Sequence, residues 1–323
     1  MHHGRNGKKI LITGGLGCLG LNLGLFLKKL NYEILITSSR PKEELGIYQD
    51  FKVLTCQLDD KSRLREICHN IDFVIHLATL SHQKSALDPK KAHIVNVEGT
   101  RNLIEVCIEK KVKKFIYFST AHVYSADESI INEDSKVQPE SVYAHTHKLA
   151  EDIVQIYTKD KIQSFILRLS NVVGIPKGAS ENSDCWRLFV NDICNQAISK
   201  KLITINSNVN VERDFIAISD LSKYIEFFLK TKKKHTSSIF NIGSGVSFKL
   251  TEIAKLVKNL CEENLDFSPD IITQFCNKSE FSKLNYKVEK IINFSGIEPK
   301  RNIDYEILKI LKHFDMLNHN NNS

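Results

Sequence analysis

The sequence predicts an α/β fold in which a parallel sheet is covered by helices on both faces. Short apolar strands at 9–13 and 33–37 flank a helical pattern at 19–30, and similar alternation continues along the chain. This order is typical of βαβ units, whose strands lie parallel. The 323 residues are 42% hydrophobic and 26% charged. The chain is therefore long enough for one large domain or for two domains that share a core.

Four glycines lie between the first predicted strand and the helix: Gly14, Gly15, Gly17 and Gly20. They satisfy G-x-G-x-x-G between a strand and a helix, which is far more specific than the glycines alone. The first glycines allow a tight turn, Gly17 lets the backbone approach a pyrophosphate, and Gly20 lets the helix pack closely on the sheet. We therefore predict a Rossmann-type dinucleotide site at the helix N-terminus. The alternative is a glycine-rich turn that binds nothing.

The end of the second strand indicates which dinucleotide binds. An acidic residue there would hold the ribose 2′-hydroxyl of NAD, whereas an arginine accommodates the 2′-phosphate of NADP. The sequence here is "TSSR", so Ser38 stands at the expected acidic position and Arg40 follows. Two hydroxyls and a guanidinium suit a phosphate. This pattern favours NADP over NAD, unless Arg40 is an ordinary surface residue.

Charge patterning does not favour nucleic-acid binding. The net charge of +7 is concentrated in short runs such as 109–114 and 230–235. We interpret these runs as solvated helix ends and turns, because no aromatic residues are interleaved to stack bases. A scaffold that binds RNA through this charge is the remaining alternative.

The cysteine pattern does not indicate a metal site. No C-x-x-C pair occurs among Cys18, Cys56, Cys68, Cys107, Cys185, Cys194, Cys261 and Cys276. Several lie in apolar patterns, which predicts buried free thiols in a reducing compartment. The uncharged stretch 10–27 resembles a signal peptide or a short span, but the dinucleotide site explains most of its glycines. We therefore predict a cytoplasmic protein with no membrane partner.

Further motifs follow in order along the chain. They are "VIHLAT" (74–79), "NVEGTRNLIEVC" (96–107), "KFIYFSTAHVY" (114–124), "YAHTHKLAED" (143–152), "RLSNVVG" (168–174), "RDFIAISD" (213–220) and "FNIGSG" (240–245). With the glycine pattern, this series resembles the extended short-chain dehydrogenase/reductase family, which comprises nucleotide-sugar epimerases, dehydratases and reductases. The resemblance extends from about residue 8 to about residue 314.

The resemblance implies a Rossmann-type doubly wound sheet and a smaller, interleaved C-terminal lobe that binds substrate. We assign residues 1–174 and 213–242 to the dinucleotide-binding domain, with 213–242 returning to the sheet. The substrate-binding lobe is predicted at 175–212 and 243–315, with a helix near 186–199. Residues 316–323 are predicted to be a disordered tail.

The resemblance also implies the catalytic residues. Thr120 matches a family hydroxyl that hydrogen-bonds the reacting sugar oxygen, and Tyr143 matches the catalytic tyrosine. A tyrosine with an ordinary pKa of about 10 is a poor base near neutrality, and a nearby cation lowers that value. The family supplies the cation from a lysine four residues after the tyrosine, on the same helix face.

His147 stands at the position of that lysine. A neutral imidazole there could keep the hydrogen bond to the cofactor ribose, and a protonated one could also lower the pKa of Tyr143. Lys148 lies about 100° further around the helix and is a poor substitute. We favour a working site with histidine in place of lysine over a site that has lost its chemistry.

The remaining site predictions also follow the resemblance. The predicted cofactor contacts are Gly14, Gly17, Cys18, Leu19, Gly20, Ser38, Arg40, Gln57, Leu58, Leu77, Ala78, Thr79, Asn96, Tyr143 and His147. The predicted substrate contacts are His82, His122, Asn171 and Arg213, the last as a partner for substrate phosphates.

The absence of an acidic pair after Thr120 narrows the predicted reaction. The dehydratase branch of the family has an acidic pair directly after the catalytic threonine, where this chain has Ala121 and His122. We therefore predict a nucleotide-sugar epimerase or 4-ketoreductase for surface polysaccharide biosynthesis, and not a 4,6-dehydratase. The alternative is a non-catalytic, NADP-binding regulator.

Two apolar stripes on one predicted helix indicate the oligomeric state. The stripes at Leu149, Ile153, Ile156 and at Ala150, Val154, Tyr157 predict a homodimer, unless both are intramolecular core.

Overall fold

A computed structural model describes residues 7–40, 51–175, 184–206, 211–233, 237–273 and 284–321. The strands are β1 (Lys9–Thr13), β2 (Glu33–Ser38), β3 (Lys52–Thr55), β4 (Phe73–His76), β5 (Lys114–Thr120), β6 (Ile130–Ile131), β7 (Gln163–Leu169), β8 (Asn171–Val173), β9 (Leu202–Ile205), β10 (Glu212–Ala217), β11 (Ser237–Ile242), β12 (Ser247–Lys249), β13 (Asp270–Thr273) and β14 (Asn285–Tyr286). Cys276, and residues 234–235 of one basic run, lie outside the described residues.

Helices alternate with these strands. They are α1 (Gly20–Lys29), α2 (Lys61–Ile67), α3 (His82–Leu87), α4 (Pro89–Ala92), α5 (Gly99–Glu109), α6 (Val142–Thr158), α7 (Phe189–Lys200), α8 (Ile218–Lys230), α9 (Leu250–Asn264), α10 (Glu289–Ser295) and α11 (Ile303–Asn321). A π-helical turn, His93–Glu98, leads into α5, and short 3₁₀ turns occupy Ala121–Val123 and Asp184–Arg187.

The main sheet confirms the predicted fold class. Its seven strands are all parallel, in the order β11-β7-β5-β4-β1-β2-β3. Every residue of β5 is buried, as expected for a parallel strand with both faces covered. One face packs against α1, α8 and α10, and the other against α2, α5 and α6. The strand order reverses between β1 and β4, which is where ligands bind in such sheets.

A second core organises the C-terminal part of the chain. It gathers apolar residues from α7, β9, α9 and α11. The predicted helix near 186–199 corresponds to α7. The last helix continues to Asn321, so 316–321 are helical, in contrast to the disordered tail predicted for 316–323. The division into two interleaved domains stays a prediction.

The expectation that 213–242 returns to the main sheet is only half right. β11 joins that sheet, but β10 pairs with β8 and β12 in a separate three-stranded sheet. Alternate residues of β10 explain this placement. Phe215 and Ala217 face the second core, whereas Ile216 packs into the main one. β10 therefore bridges the two cores and carries the Arg213 region to the rim of the cleft between them.

One basic residue contradicts the interpretation of its run as solvated. Lys114 is only 8% exposed, and its Nζ donates hydrogen bonds to the backbone carbonyls of Phe228, Leu229 and Thr231 at 2.9, 2.9 and 2.6 Å. A cation at the C-terminal end of α8 satisfies carbonyls that have no partner within the helix. Among the described residues, no helix is both long and apolar enough to cross a membrane.

Candidate active site

A cleft of about 2120 Å³ opens at the carboxyl ends of the central strands. The glycine-rich loop after β1 forms one wall, and the small sheet with Asn171 and Arg213 forms another. A pocket for one small ligand usually measures about 300–1,000 Å³. The cleft is therefore large enough for a dinucleotide and a second nucleotide at once.

The glycine-rich loop fits a dinucleotide. Gly14 adopts a φ of +64°, and a Cβ there would lie 2.6 Å from the Cα of Ala78, so only glycine is accommodated. The N-cap of α1, Leu19, provides no side-chain cap for the helix. The first N–H groups of α1 are thus left for an anionic ligand. This cradle is what a cofactor pyrophosphate requires.

Two of the predicted cofactor contacts do not line the cleft. A Cβ on Gly20 would lie 2.3 Å from Gly15, so Gly20 serves the packing of α1 on the loop. Asn96 is 1% exposed, accepts the Leu80 N–H at 2.9 Å and donates to Thr146 Oγ1 at 2.9 Å. Asn96 therefore ties the segment after β4 to α6. Neither the glycine spacing nor the resemblance distinguishes a supporting residue of this kind from one that contacts the cofactor.

The other predicted site residues do lie on the cleft. They are Gly14, Gly17, Cys18, Leu19, Ser38, Arg40, Gln57, Leu58, Leu77, Ala78, Thr79, His82, Thr120, His122, Tyr143, His147, Asn171 and Arg213. The main sheet and α6 bring together the residues up to His147, whereas Asn171 and Arg213 come from the separate three-stranded sheet.

The end of β2 presents polar groups to the cleft. Ser38 Oγ accepts the Arg40 N–H at 3.1 Å, and Gln57 Nε2 donates to the Ser39 carbonyl at 3.0 Å. Within the described residues, no carboxylate lies among the cleft residues of this part, 38–40 and 56–58. The side chains here thus offer hydroxyls and a guanidinium.

Tyr143 and Thr120 face each other at the centre of the cleft. Tyr143 stands in the first turn of α6, which begins after Ser141, whose Oγ accepts the Ala144 N–H at 3.2 Å. Thr120 ends β5 and is 5% exposed. Burial raises the pKa of Tyr143, and a hydrogen bond with Thr120 opposes that rise. Tyr143 is therefore a neutral phenol near neutral pH in the ligand-free protein.

His147 is held between two hydroxyls. Its Nδ1 lies 2.9 Å from the Tyr117 hydroxyl, and its Nε2 lies 3.2 Å from Thr79 Oγ1. Burial lowers the pKa of His147 to about 3. His147 is therefore neutral at physiological pH and does not supply the positive charge that the sequence allowed. It touches Tyr143 ring to ring, with centroids 4.5 Å apart. Lys148 pairs with Asp152 instead.

Two further histidines, His82 and His122, line the cleft beside Tyr143. The ring centroids of His82 and His122 lie 5.9 and 6.3 Å from that of Tyr143, and 6.4 Å from each other. Burial lowers the pKa of His122, and its Coulombic interactions with Arg213 and His82 lower that pKa further. His122 is therefore also neutral, and can accept a hydrogen bond from a hydroxylated ligand.

The small sheet supplies the second wall. Asn171 Nδ2 donates to the Asp214 carbonyl at 2.9 Å, and Arg213 Nη1 donates to the Glu212 carbonyl at 3.0 Å. Arg213 is exposed, and in the described ranges no carboxylate pairs with it. An arginine without an ion-pair partner at the edge of a cleft suits an anionic ligand.

A disulfide corrects the expectation of free cysteines. Cys18 of the glycine-rich loop and Cys185, just before α7, form a disulfide bond across 167 residues of sequence. Both residues line the cleft. Cys56, Cys68, Cys107, Cys194 and Cys261 are buried free thiols as predicted. Cys18 and Cys185 meet only because the second core packs against the glycine-rich loop. Their spacing in the sequence therefore could not have predicted the bond.

We expect this disulfide to stabilise the fold, because it links the two cores. A reductant should lower the free energy of unfolding by about 2–4 kcal/mol in the natural chain. The Cys18→Ser/Cys185→Ser double variant should unfold at the same denaturant concentration with and without reductant. Denaturant melts of both proteins test this. Recovery of Cys18 and Cys185 as alkylated thiols from the unreduced protein would contradict it.

Sequence comparison identifies the family. The model of the NAD dependent epimerase/dehydratase family matches residues 10–243, which covers the glycine-rich loop, Thr120, Tyr143 and Arg213. The chain belongs to this family. Its relatives are nucleotide-sugar epimerases and dehydratases of the extended short-chain dehydrogenase/reductase type, which confirms the resemblance.

Relatives of this epimerase/dehydratase chain include enzymes of both kinds. A dTDP-D-glucose 4,6-dehydratase of Dictyostelium discoideum is 30% identical over 278 residues, 78% of this chain, and the chain spans only 62% of that relative's length. The human dTDP-D-glucose 4,6-dehydratase is 28% identical, covering 91% of this chain and 86% of its own. A putative UDP-arabinose 4-epimerase of Arabidopsis thaliana is 26% identical over 294 residues, covering 80% of this chain and 66% of its own. The comparison therefore does not support excluding dehydratases.

Solved structures of the family share the fold. MoeE5 in complex with UDP-glucuronic acid and NAD aligns with a TM-score of 0.79 at 20% identity, covering 96% of this chain and 99% of its own. UDP-glucose 4-epimerase of Thermotoga maritima with UDP-glucose aligns with a TM-score of 0.79 at 22% identity, with the same coverage. At these identities the likeness concerns the architecture alone.

Proposed function

We propose that this family member is an NAD(P)-dependent nucleotide-sugar epimerase or 4-ketoreductase. The observation that carries the proposal is the Tyr143–Thr120 pair, set in the cleft between the glycine-rich loop and Arg213. A phenol and a hydroxyl so placed can exchange a proton with a sugar carbinol or ketone. The nucleotide-sugar would lie with its phosphates at Arg213 and its sugar ring at Tyr143.

Each residue has a part in that chemistry. A bound nicotinamide cofactor supplies hydride acceptance and donation. Tyr143 donates a proton to a ketone oxygen, or accepts it from a carbinol, while Thr120 orients the same oxygen. His82 and His122 contact sugar hydroxyls beside the tyrosine. The loop of Gly14 and the start of α1 hold the cofactor pyrophosphate.

We propose that dehydration is not the reaction. Elimination of water needs an acid and a base beside the reacting carbons, and Ala121 carries no ionisable group. His122 is neutral, but it faces both His82 and Arg213 rather than a carboxylate partner. Several relatives are dehydratases, so product mass after incubation with dTDP-glucose decides this point. Loss of water from the sugar would identify a dehydratase.

Turnover and cofactor preference can be tested together. The purified protein is offered NADP(H) or NAD(H) with a panel of UDP- and dTDP-sugars, while nicotinamide absorbance and product sugars are followed. We expect turnover of one sugar, with tighter binding of NADP(H). Arg40→Ala should then weaken NADP(H) binding by about tenfold or more and leave NAD(H) binding unchanged, because only NADP carries the 2′-phosphate.

Two outcomes would contradict these expectations. Tighter binding of NAD(H), or an unchanged ratio in Arg40→Ala, would refute the cofactor preference. Cofactor binding with no turnover of any sugar would favour the regulatory alternative, a protein that senses the cofactor without catalysis. The placement of Thr120 beside Tyr143 supports catalysis over that alternative.

The proposal also covers the oligomeric state and the cellular compartment. We propose a homodimer through α6, supported by Ile156, which is 70% exposed on that helix. Ala150 and Val154 of the second stripe are core instead. A monomer mass by light scattering would refute the dimer. A cytoplasmic setting and a role in surface polysaccharide biosynthesis stay predictions: five buried free thiols fit a reducing compartment, whereas the Cys18–Cys185 disulfide does not.

A further inference from the structure

We propose that Tyr117 is a positioning residue that fixes the tautomer of His147 and so keeps its Nε2 a hydrogen-bond donor, to Thr79 in the ligand-free protein and to the cofactor ribose when the cofactor is bound. The proposal rests on the proposed function, because the ribose belongs to the nicotinamide cofactor. Tyr117 lies in the middle of β5, is 3% exposed and does not line the cleft. It acts on the site only through His147, which does line the cleft.

The far end of the hydrogen-bond chain is compatible with either tautomer. Thr79 Oγ1 lies 3.2 Å from the Leu80 carbonyl and 3.2 Å from His147 Nε2. Its one rotatable hydrogen can be donated to the carbonyl, so that the oxygen accepts from a protonated Nε2, or it can be donated to an unprotonated Nε2. Thr79 therefore accommodates the tautomer and does not select it.

The near end selects the tautomer. A neutral imidazole carries one hydrogen, so a protonated Nε2 leaves Nδ1 as the acceptor for the Tyr117 hydroxyl at 2.9 Å. In the opposite tautomer, Nδ1 would donate to the Tyr117 oxygen. The buried Tyr117 hydroxyl hydrogen would then have no acceptor among the described residues, and unmade hydrogen bonds in buried sites are costly. The chain therefore runs from Tyr117 through His147 and Thr79 to Leu80.

The charge states are consistent with this chain. Burial lowers the pKa of His147 to about 3 and raises the pKa of Tyr117 well above its ordinary value, so both groups stay neutral. A lysine at position 147 would donate to the ribose without any such help, since an ammonium has only donors. The histidine needs a fixed tautomer to do the same, and Tyr117 provides it.

The tautomer can be measured without cofactor or substrate. Nitrogen-15 NMR of the histidine-labelled, ligand-free protein distinguishes a protonated Nε2 from a protonated Nδ1. We expect His147 to be protonated at Nε2 in the natural chain, and to populate both tautomers in Tyr117→Phe. A protonated Nδ1 in the natural chain, or an unchanged tautomer in Tyr117→Phe, would overturn the proposal.

A double-variant cycle tests the consequence for binding. Tyr117→Phe should weaken cofactor binding about fivefold to tenfold in the natural background, as expected for one compromised hydrogen bond. The same change should have no effect in the His147→Lys background. Tyr224→Phe is the matched control, because it removes another buried hydroxyl, hydrogen-bonded to the Ile297 carbonyl at 3.2 Å, away from the cleft.

The outcomes separate this proposal from the proposed function. An equal loss of affinity in both backgrounds, or a similar loss in Tyr224→Phe, would show that Tyr117 has a merely structural role. If the natural chain binds no nicotinamide cofactor, the proposed function fails, and the NMR result alone decides whether Tyr117 fixes the tautomer.

Discussion

Replacement of Tyr143 by phenylalanine is expected to lower kcat by about a hundredfold to ten-thousandfold, the usual contribution of a positioned general acid or base. The phenol is the proton donor and acceptor of the proposed reaction. The ring itself is retained, so its contact with His147 persists. Cofactor binding should stay within about twofold, because the glycine-rich loop provides most of the affinity. Kinetics with the identified substrate and cofactor titration measure the two effects.

A control on the same helix isolates the hydroxyl. Tyr157→Phe alters a half-buried tyrosine of α6 that packs in the core rather than on the cleft, and its kcat should match the natural chain. Full activity in Tyr143→Phe would disprove the mechanism.

The pH profile follows from the ionisation of Tyr143. Oxidation of a carbinol needs the phenolate, so its rate should rise as pH approaches the pKa of Tyr143 from below. Ketone reduction needs the phenol, and its rate should fall above the same pKa. His147→Lys places a cation beside the ring, which lowers the pKa of Tyr143 and should move both limbs to lower pH. Unmoved limbs would show that the residue at 147 does not act on Tyr143.

Loss of charge at Glu151 is expected to produce the largest change in stability, with a cost of about 3–5 kcal/mol. Glu151 is fully buried and forms a bidentate pair with Arg168 at 2.9 and 2.7 Å. Ser119 donates to the same carboxylate at 2.5 Å. Glu151→Gln keeps the shape but leaves the Arg168 cation buried without a counterion. Denaturant unfolding measures the loss.

Two comparisons make this test specific. Glu66→Gln removes one partner of the exposed Arg63–Glu66 pair and should leave the unfolding midpoint unchanged. Glu151→Leu/Arg168→Leu should be more stable than Glu151→Gln, because removing both charges leaves no buried ion unpaired. A double variant less stable than Glu151→Gln would contradict this explanation. The pair lies two turns of α6 beyond Tyr143, so it also fixes that helix against β7.

The sequence by itself determined the features that depend on local geometry. The parallel strands and the glycine-rich turn before α1 follow from hydrophobic periodicity and from the glycine pattern between strand and helix. The roles of Thr120 and Tyr143 came from the family resemblance, which matches each residue to a family motif. These parts of the site could be predicted without a structure.

Only the tertiary structure decided which distant groups touch. In the sequence, Tyr117 is an ordinary residue of a predicted strand. Its proposed role depends on the packing of α6 over β5, which brings His147 within hydrogen-bonding distance of it. The Cys18–Cys185 bond depends on how the second core docks against the glycine-rich loop. The neutral state of His147 depends on burial that no spacing reveals. Contacts between distant segments are set by strand order and helix packing, whereas a sequence pattern reports each segment's own conformation.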